Sequence, residues 1–177
     1  MAKQKIGCAH IKENISQFVV SPLETGIPNF TKLVNYFEYK APMIDCVHSA
    51  GRGASSEKQS DMLRRMLSES DMVSCSKFLE RIQKNSLELM GLDGTYICLK
   101  CPRMLCRLKE DETEFAALLR HLRNGFAHGR TYIKRMKNQT YIVIEDLDAK
   151  KKCSAKIVVT KAILNRWYKL IKVEEWG

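Results

Sequence analysis

The clearest periodic signal lies between Asp111 and His128. Phe115, Leu118, Leu119, Leu122 and Phe126 recur at spacings of three and four. At about 100° per residue they fall within a narrow arc, so the spacing predicts an amphipathic helix over 111–128. Asp111 is a candidate cap, Glu112 and Glu114 suit the first turn, and Gly129 is a natural stop. A longer helix is predicted over 61–90, from Met72, Cys75, Phe78, Leu79, Ile82 and Leu89 or Met90, with Gly91 ending it. A shorter one runs from a capping Asn29 to Tyr39, with Phe30, Leu33, Val34 and Phe37 on one face.

After Gly129 the period changes. Thr131–Lys134, Thr140–Glu145 and Ala155–Val159 are rich in β-branched and aromatic residues and predict a small antiparallel sheet. Turns are expected at Asn138–Gln139 and over 146–152. Thr160 then caps a last helix with Ile163, Leu164, Trp167 and Leu170 inward. Residues 49–60 read as a polar Gly/Ser loop, 94–102 as a connector, and Ile15–Val20 as strand or helix. Ser21-Pro22 and Ile27-Pro28 interrupt any long element there. The expected architecture is mainly α, with a small antiparallel sheet as an appendage before the C-terminal helix. It forms one domain over 1–177, with 1–60 unassigned and 61–172 as the core.

Composition narrows the class. The hydrophobic share of 45% and charged share of 28% are those of a folded globular protein. The first residues lack a secretory apolar region, and no apolar stretch is long enough to span a bilayer. Seven irregularly spaced cysteines then read as reduced thiols in the cytoplasm, with no membrane association. Charge adds direction: residues 120–172 hold 14 Lys/Arg against 3 Asp/Glu, a balance of +11, whereas the whole chain carries +10. A one-sided basic field attracts polyanions such as RNA, and is equally compatible with a solvated basic face.

The 111–128 helix also carries candidate chemistry. Arg120, Asn124 and His128 follow one another at intervals of four, opposite the apolar stripe, and Arg123 lies between stripe and ridge. RNA brings its own nucleophile in the 2′-hydroxyl, so cutting it needs one proton removed and one delivered. Histidine does either near neutral pH, arginine grips the phosphate, and asparagine orients a partner. No carboxylate cluster suited to two metals is evident. The same residues also suit a solvated helix end, where Arg and His complement the helix dipole.

The run Leu119-Arg-His-Leu-Arg-Asn-Gly-Phe-Ala-His-Gly129 resembles the signature helix of the HEPN superfamily, in its plasmid- and phage-defence-associated branch. The family motif is Arg, a polar residue often Asn, then His, and Arg123, Asn124 and His128 match it with four residues between Arg and His. The resemblance covers roughly 60–172. It implies a HEPN-like helical bundle that forms a homodimer, with two motifs composing one RNA-cutting site that needs no metal or cofactor. Its members act as toxins or in anti-phage defence, with an antitoxin or regulatory partner in some cases. Carried over, His128 is the acid/base, Arg123 the phosphate clamp and Asn124 the orienting group. Arg120, Arg130, Lys134 and Lys151 would contact RNA. His121 points away from Arg123 on the wheel and reads as structural. The alternatives are a catalytically silent module of this kind that binds RNA or a protein, and a basic adaptor whose Arg/His face is only surface.

Other candidates are weaker. Cys98 and Cys101 form a C-x2-C pair with Cys106 five residues on, and Cys46-Val-His48 could complete a four-ligand zinc site. Lys150-Lys-Lys152 could touch an RNA backbone or simply be a solvated turn. Tyr132, Lys134, Arg135, Lys137 and Tyr141 interleave aromatics and charge as in RNA-binding sheets, or as in any amphipathic sheet.

Overall fold

The computed structural model describes residues 10–18, 26–41 and 55–173. Among these, the helices are α1 (Phe30–Asn35), α2 (Ser56–Ser68), α3 (Lys84–Leu89), α4 (Glu114–Ala127) and α5 (Lys161–Val173). The strands are β1 (Glu13–Asn14), β2 (Ser76–Leu79), β3 (Tyr96–Ile97), β4 (Arg103–Arg107), β5 (Thr131–Met136), β6 (Gln139–Leu147) and β7 (Cys153–Thr160). A five-stranded sheet in the order β2-β4-β7-β6-β5 forms the centre, and β1 pairs with β3 in a small ribbon. Strand β2 is parallel to β4, and the other pairs of the large sheet are antiparallel.

This overturns the expected mainly-α, HEPN-like bundle with a β appendage. The fold is mixed α/β, and the sheet is its middle layer. Strand alternation gives each face its own core. Met104, Ile133, Ile142, Ile144, Ile157 and Val159 face α1, α2, α4 and α5, joined by Phe30, Met66, Leu118, Phe126 and Trp167. On the reverse face Leu105, Val143 and Val158 pack with Ile15, Met90, Leu92, Ile97 and Leu99.

The predicted helix over 61–90 breaks for a local reason. Helix α2 starts earlier, with the Ser55 hydroxyl accepting from the Lys58 amide at 3.2 Å, inside what reads as a loop. It ends when Asp71 enters the left-handed region at φ 54, and the Met72 amide returns to the Leu67 carbonyl at 2.9 Å, a six-to-one closure. Met72 and Phe78 then serve the helix-side core while Leu79 and Ile82 serve the other. The apparent helical stripe is thus divided between two faces of a sheet. Strand β4 leaves no period-2 trace because Met104, Leu105 and Cys106 are buried in succession on both faces.

Other elements follow their signals. Strands β5 to β7 and helix α5 lie where the β-rich runs and Thr160 place them, and Thr160 Oγ1 accepts from the Ile163 amide at 3.2 Å. Trp167 is fully buried and its indole N–H donates to Ser70 Oγ at 2.9 Å, tying α5 to the end of α2. The Asn29–Tyr39 segment is helical, but Asn29 takes φ 59 and makes no side-chain cap. Its last turn widens over Tyr36–Lys40, where the Ala41 amide reaches the Tyr36 carbonyl at 2.8 Å. Residues 49–54, the Ser21-Pro22 break, Cys8, Cys46 and His48 lie outside the described residues. Among the described residues no helix is long and apolar enough to cross a membrane.

Candidate functional site

Helix α4 is positioned by three contacts of its own sequence. At its start the Thr113 hydroxyl, rather than Asp111, accepts from the Ala116 amide at 3.1 Å. Its apolar stripe of Phe115, Leu118, Leu119, Leu122 and Phe126 is buried. Near its end Gly125 lets the helix backbone meet β6. A Cβ there would lie 2.2 Å from Ile144 Cγ2 and 3.2 Å from the Glu145 carbonyl oxygen. The glycine of the Arg-Asn-Gly run therefore has a packing role.

Three of the helix's polar residues are taken up by a buried network that centres on Asp146. Positions 142, 144 and 146 of β6 share the sheet face under α4, and the third is a carboxylate instead of an isoleucine. Asp146 Oδ2 lies 2.7 Å from His121 Nδ1 and accepts from Asn124 Nδ2 at 3.1 Å. His121 is 0% exposed, and its Nε2 lies 2.8 Å from the Arg107 carbonyl oxygen. Both ring nitrogens thus lie within hydrogen-bond distance of an oxygen, with an Arg120 terminal nitrogen 3.4 Å from Nδ1. Burial alone would raise the Asp146 carboxyl. Hydrogen bonds from His121 and Asn124, with the nearby Arg120 charge, outweigh it and hold the carboxyl below its ordinary value.

Arg120 closes the other side. Its Nε and one terminal nitrogen grip the two Glu112 oxygens at 2.6 and 2.7 Å, and the same terminal nitrogen reaches the Arg107 carbonyl at 2.9 Å. Burial works to raise the Glu112 carboxyl, but the bonds from Arg120 and the Lys109 amide lower it overall. Arg120 is therefore a structural clamp between α4, the loop before it and β4, and its guanidinium is not presented to RNA. Half-buried Asn124 likewise commits its side-chain amide nitrogen to a protein carboxylate.

What remains at the helix end is Arg123 and His128. Both are exposed, and neither side chain makes a hydrogen bond or ion pair with the described residues. His128 closes the helix at φ −92 and ψ 7, and its amide still bonds to the Asn124 carbonyl at 3.0 Å. Five residues of near-helical backbone put their Cα atoms roughly 9 Å apart and about 140° around the axis. That spacing lets a long arginine and an imidazole flank one phosphodiester from two sides, and it does not bring them into mutual contact.

The other candidates are scattered. Arg130 is half-buried at the entry to β5, where its carbonyl accepts from the Glu145 amide at 2.9 Å. Lys134 pairs with Glu13 at 2.8 Å and lies 4.5 Å over the Phe18 ring. Lys151 is exposed in the turn after β6, at φ 59. Tyr132 donates to Glu145 Oε2 at 2.9 Å and its hydroxyl is pushed up to about 12 by burial and that carboxylate, so it is a reverse-face packing residue. Cys98 and Cys101 bring their sulfurs to 3.6 Å, but Cys106 belongs to the helix-side core. Among the described residues no group of three or more His, Cys, Asp or Glu is arranged to hold a metal ion.

Sequence reasoning missed Asp146 and the roles of Gly125 and Arg120. Asp146 had a readable signal: a carboxylate in the third position of the inward row Ile142, Ile144, Asp146. No family model, curated protein or solved structure matches this chain.

Proposed function

We propose that this protein acts on RNA at the exposed end of α4, cutting the strand without a metal through attack of a 2′-hydroxyl on the adjacent phosphate. One observation carries the reading: α4 engages Arg120, His121 and Asn124 internally, yet leaves the Arg123 and His128 side chains exposed and without a partner among the described residues, on a helix end pinned to the sheet. An exposed, fixed pair of this kind can receive a phosphodiester without first breaking protein contacts. His128 would take the 2′-hydroxyl proton or supply one to the departing 5′-oxygen, and Arg123 would hold the phosphate as charge builds on it. The products are a 2′,3′-cyclic phosphate and a 5′-hydroxyl.

Asn124 enters this reading as a positioning residue. It fixes the last turn of α4 through Asp146 and touches no substrate. Helix α4 offers one exposed histidine for two proton transfers, so the second belongs to His128 of a second copy in a symmetric dimer.

The test is incubation of the protein with RNA in excess chelator, beside His128→Ala and Arg123→Ala. The expected result is cutting by the wild type and a loss of about 10² to 10⁴-fold in the His128 variant. Both variants should keep their melting behaviour to within about 0.5 kcal/mol, because neither side chain holds the fold together. A second reading, RNA binding without cleavage, is favoured by the withdrawal of His121 and Asn124 from the surface. Salt-sensitive binding with no cyclic-phosphate product would establish it in place of the first.

A further inference from the structure

A cleft of about 500 Å³ opens between the β5–β6 turn, the first turn of α5 and the stretch Ile27–Asn29. Of the described side chains that line it, three are cations (Arg135, Lys137 and Lys161), four are carboxamides, and none is acidic. Several other cations of the chain are neutralised. Lys134 is paired with Glu13, Lys156 with Glu145, Arg120 with Glu112, and Arg107 with Asp148. Arg135 and Lys137 have no ion pair or hydrogen bond with the described residues, and Lys161 Nζ donates to the Pro28 carbonyl, fastening one wall of the cleft to α5.

We propose that this cleft is a binding site for a phosphate-bearing ligand, a nucleotide phosphate either free or within an RNA strand. Cations gathered along a concave wall with no acidic neighbour focus positive potential where an anion can bind. Arginine offers a planar two-pronged grip on phosphate oxygens, and lysine a point charge. Asn29, Asn138 and Gln139 add neutral donors and acceptors for ester oxygens, sugar hydroxyls or a base edge. The volume falls in the range of small-molecule sites, and the polar lining suits a charged ligand better than an apolar one. Arg135 lies four residues along β5 from Thr131, roughly 13 Å from the start of the strand that follows α4, so the cleft is a second place on the molecule. The inference does not depend on the cleavage reading, since His128→Ala leaves the cleft intact.

One lining residue makes a convenient probe. Lys137 sits at φ 50 in the two-residue turn between β5 and β6, a conformation that glycine adopts more easily. Lys137→Gly therefore removes the charge without endangering the fold. Calorimetric titration would use adenosine 5′-monophosphate and, separately, a single-stranded uridylate decamer. The proteins compared are the wild type, Arg135→Gln, Lys137→Gly and a control, Lys84→Gln, which changes an exposed lysine on helix α3. The expected result is wild-type binding of at least one probe, weakened about tenfold by each cleft variant and unchanged in the control. A response with the monophosphate assigns the site to free nucleotides; a response confined to the decamer assigns it to strand phosphate. Wild-type protein that binds neither probe, cleft variants that bind like wild type, or a control that loses as much as they do would each overturn the proposal.

Discussion

Gly125 and Asp146 show how differently two residues in one motif neighbourhood can be read. Nothing in the sequence marks Gly125 as a packing residue, and only the approach of Ile144 shows that it is a packing requirement. Ile144 is buried and branched at Cβ, so it has little room to yield. Gly125→Ala would gain up to about 1 kcal/mol in helix propensity and lose about 1–3 kcal/mol to overpacking. Net destabilisation is expected in urea unfolding, and a neutral or stabilised variant would contradict the close contact. Asp146→Ala strands His121 and Asn124 in a buried site and should cost about 3 kcal/mol. The carboxyls of Asp146 and Glu112 titrate lower in the folded than in the unfolded chain. Their contribution is therefore fully present above the unfolded values of about 4 and fades as the pH falls below them through the folded ones. Acid unfolding monitored by circular dichroism should steepen in that window, and Asp146→Asn should flatten the curve.

At the scale of elements, legibility tracked how much of the structure is encoded locally. Helices α4 and α5 could be read from a one-sided apolar pattern and a start residue such as Thr160, and strands β5 to β7 from runs dense in β-branched and aromatic residues, which β4 lacks. Strands β2 and β4 could not, because the first borrows its partner from residues about 28 positions later and the second is buried on both faces. The missed segment has its own fastening in Arg103. Its buried guanidinium donates to the carbonyls of Met90, Gly91, Cys98 and Cys101 at 2.6 to 2.9 Å. Lysine has one nitrogen where these carbonyls need a fork, so Arg103→Lys should cost about 2–3 kcal/mol. Hydrogen exchange should then rise across 90–101 before it rises in β6. Of the candidate site, the sequence located the helix and its exposed end. It could not separate exposed Arg123 from clamped Arg120, because that division depends on where Glu112 and β4 lie in space.

Across the whole molecule, the basic excess in residues 120–172 is divided into neutralised and free charges, so fewer lysines and arginines than the count suggests are available to a polyanion. Binding to single-stranded RNA through three phosphate contacts would give a log–log salt slope of about −2 and a loss of about twentyfold between about 50 and 200 mM salt. A slope several times steeper would mean that the clamped residues also let go. The strand order has a consequence for synthesis. The middle strand of the sheet, β7, follows β2, β4, β5 and β6 in the chain, and it alone joins β4 to β6. On the ribosome the β5–β6 hairpin and β4 must wait with unpaired edges until residue 160 has cleared the exit tunnel, and only then can the layers close. A chain stalled anywhere before Cys153 would hold the β2–β4 and β5–β6 pairs without the strand that joins them, so the sheet is completed by a single late event.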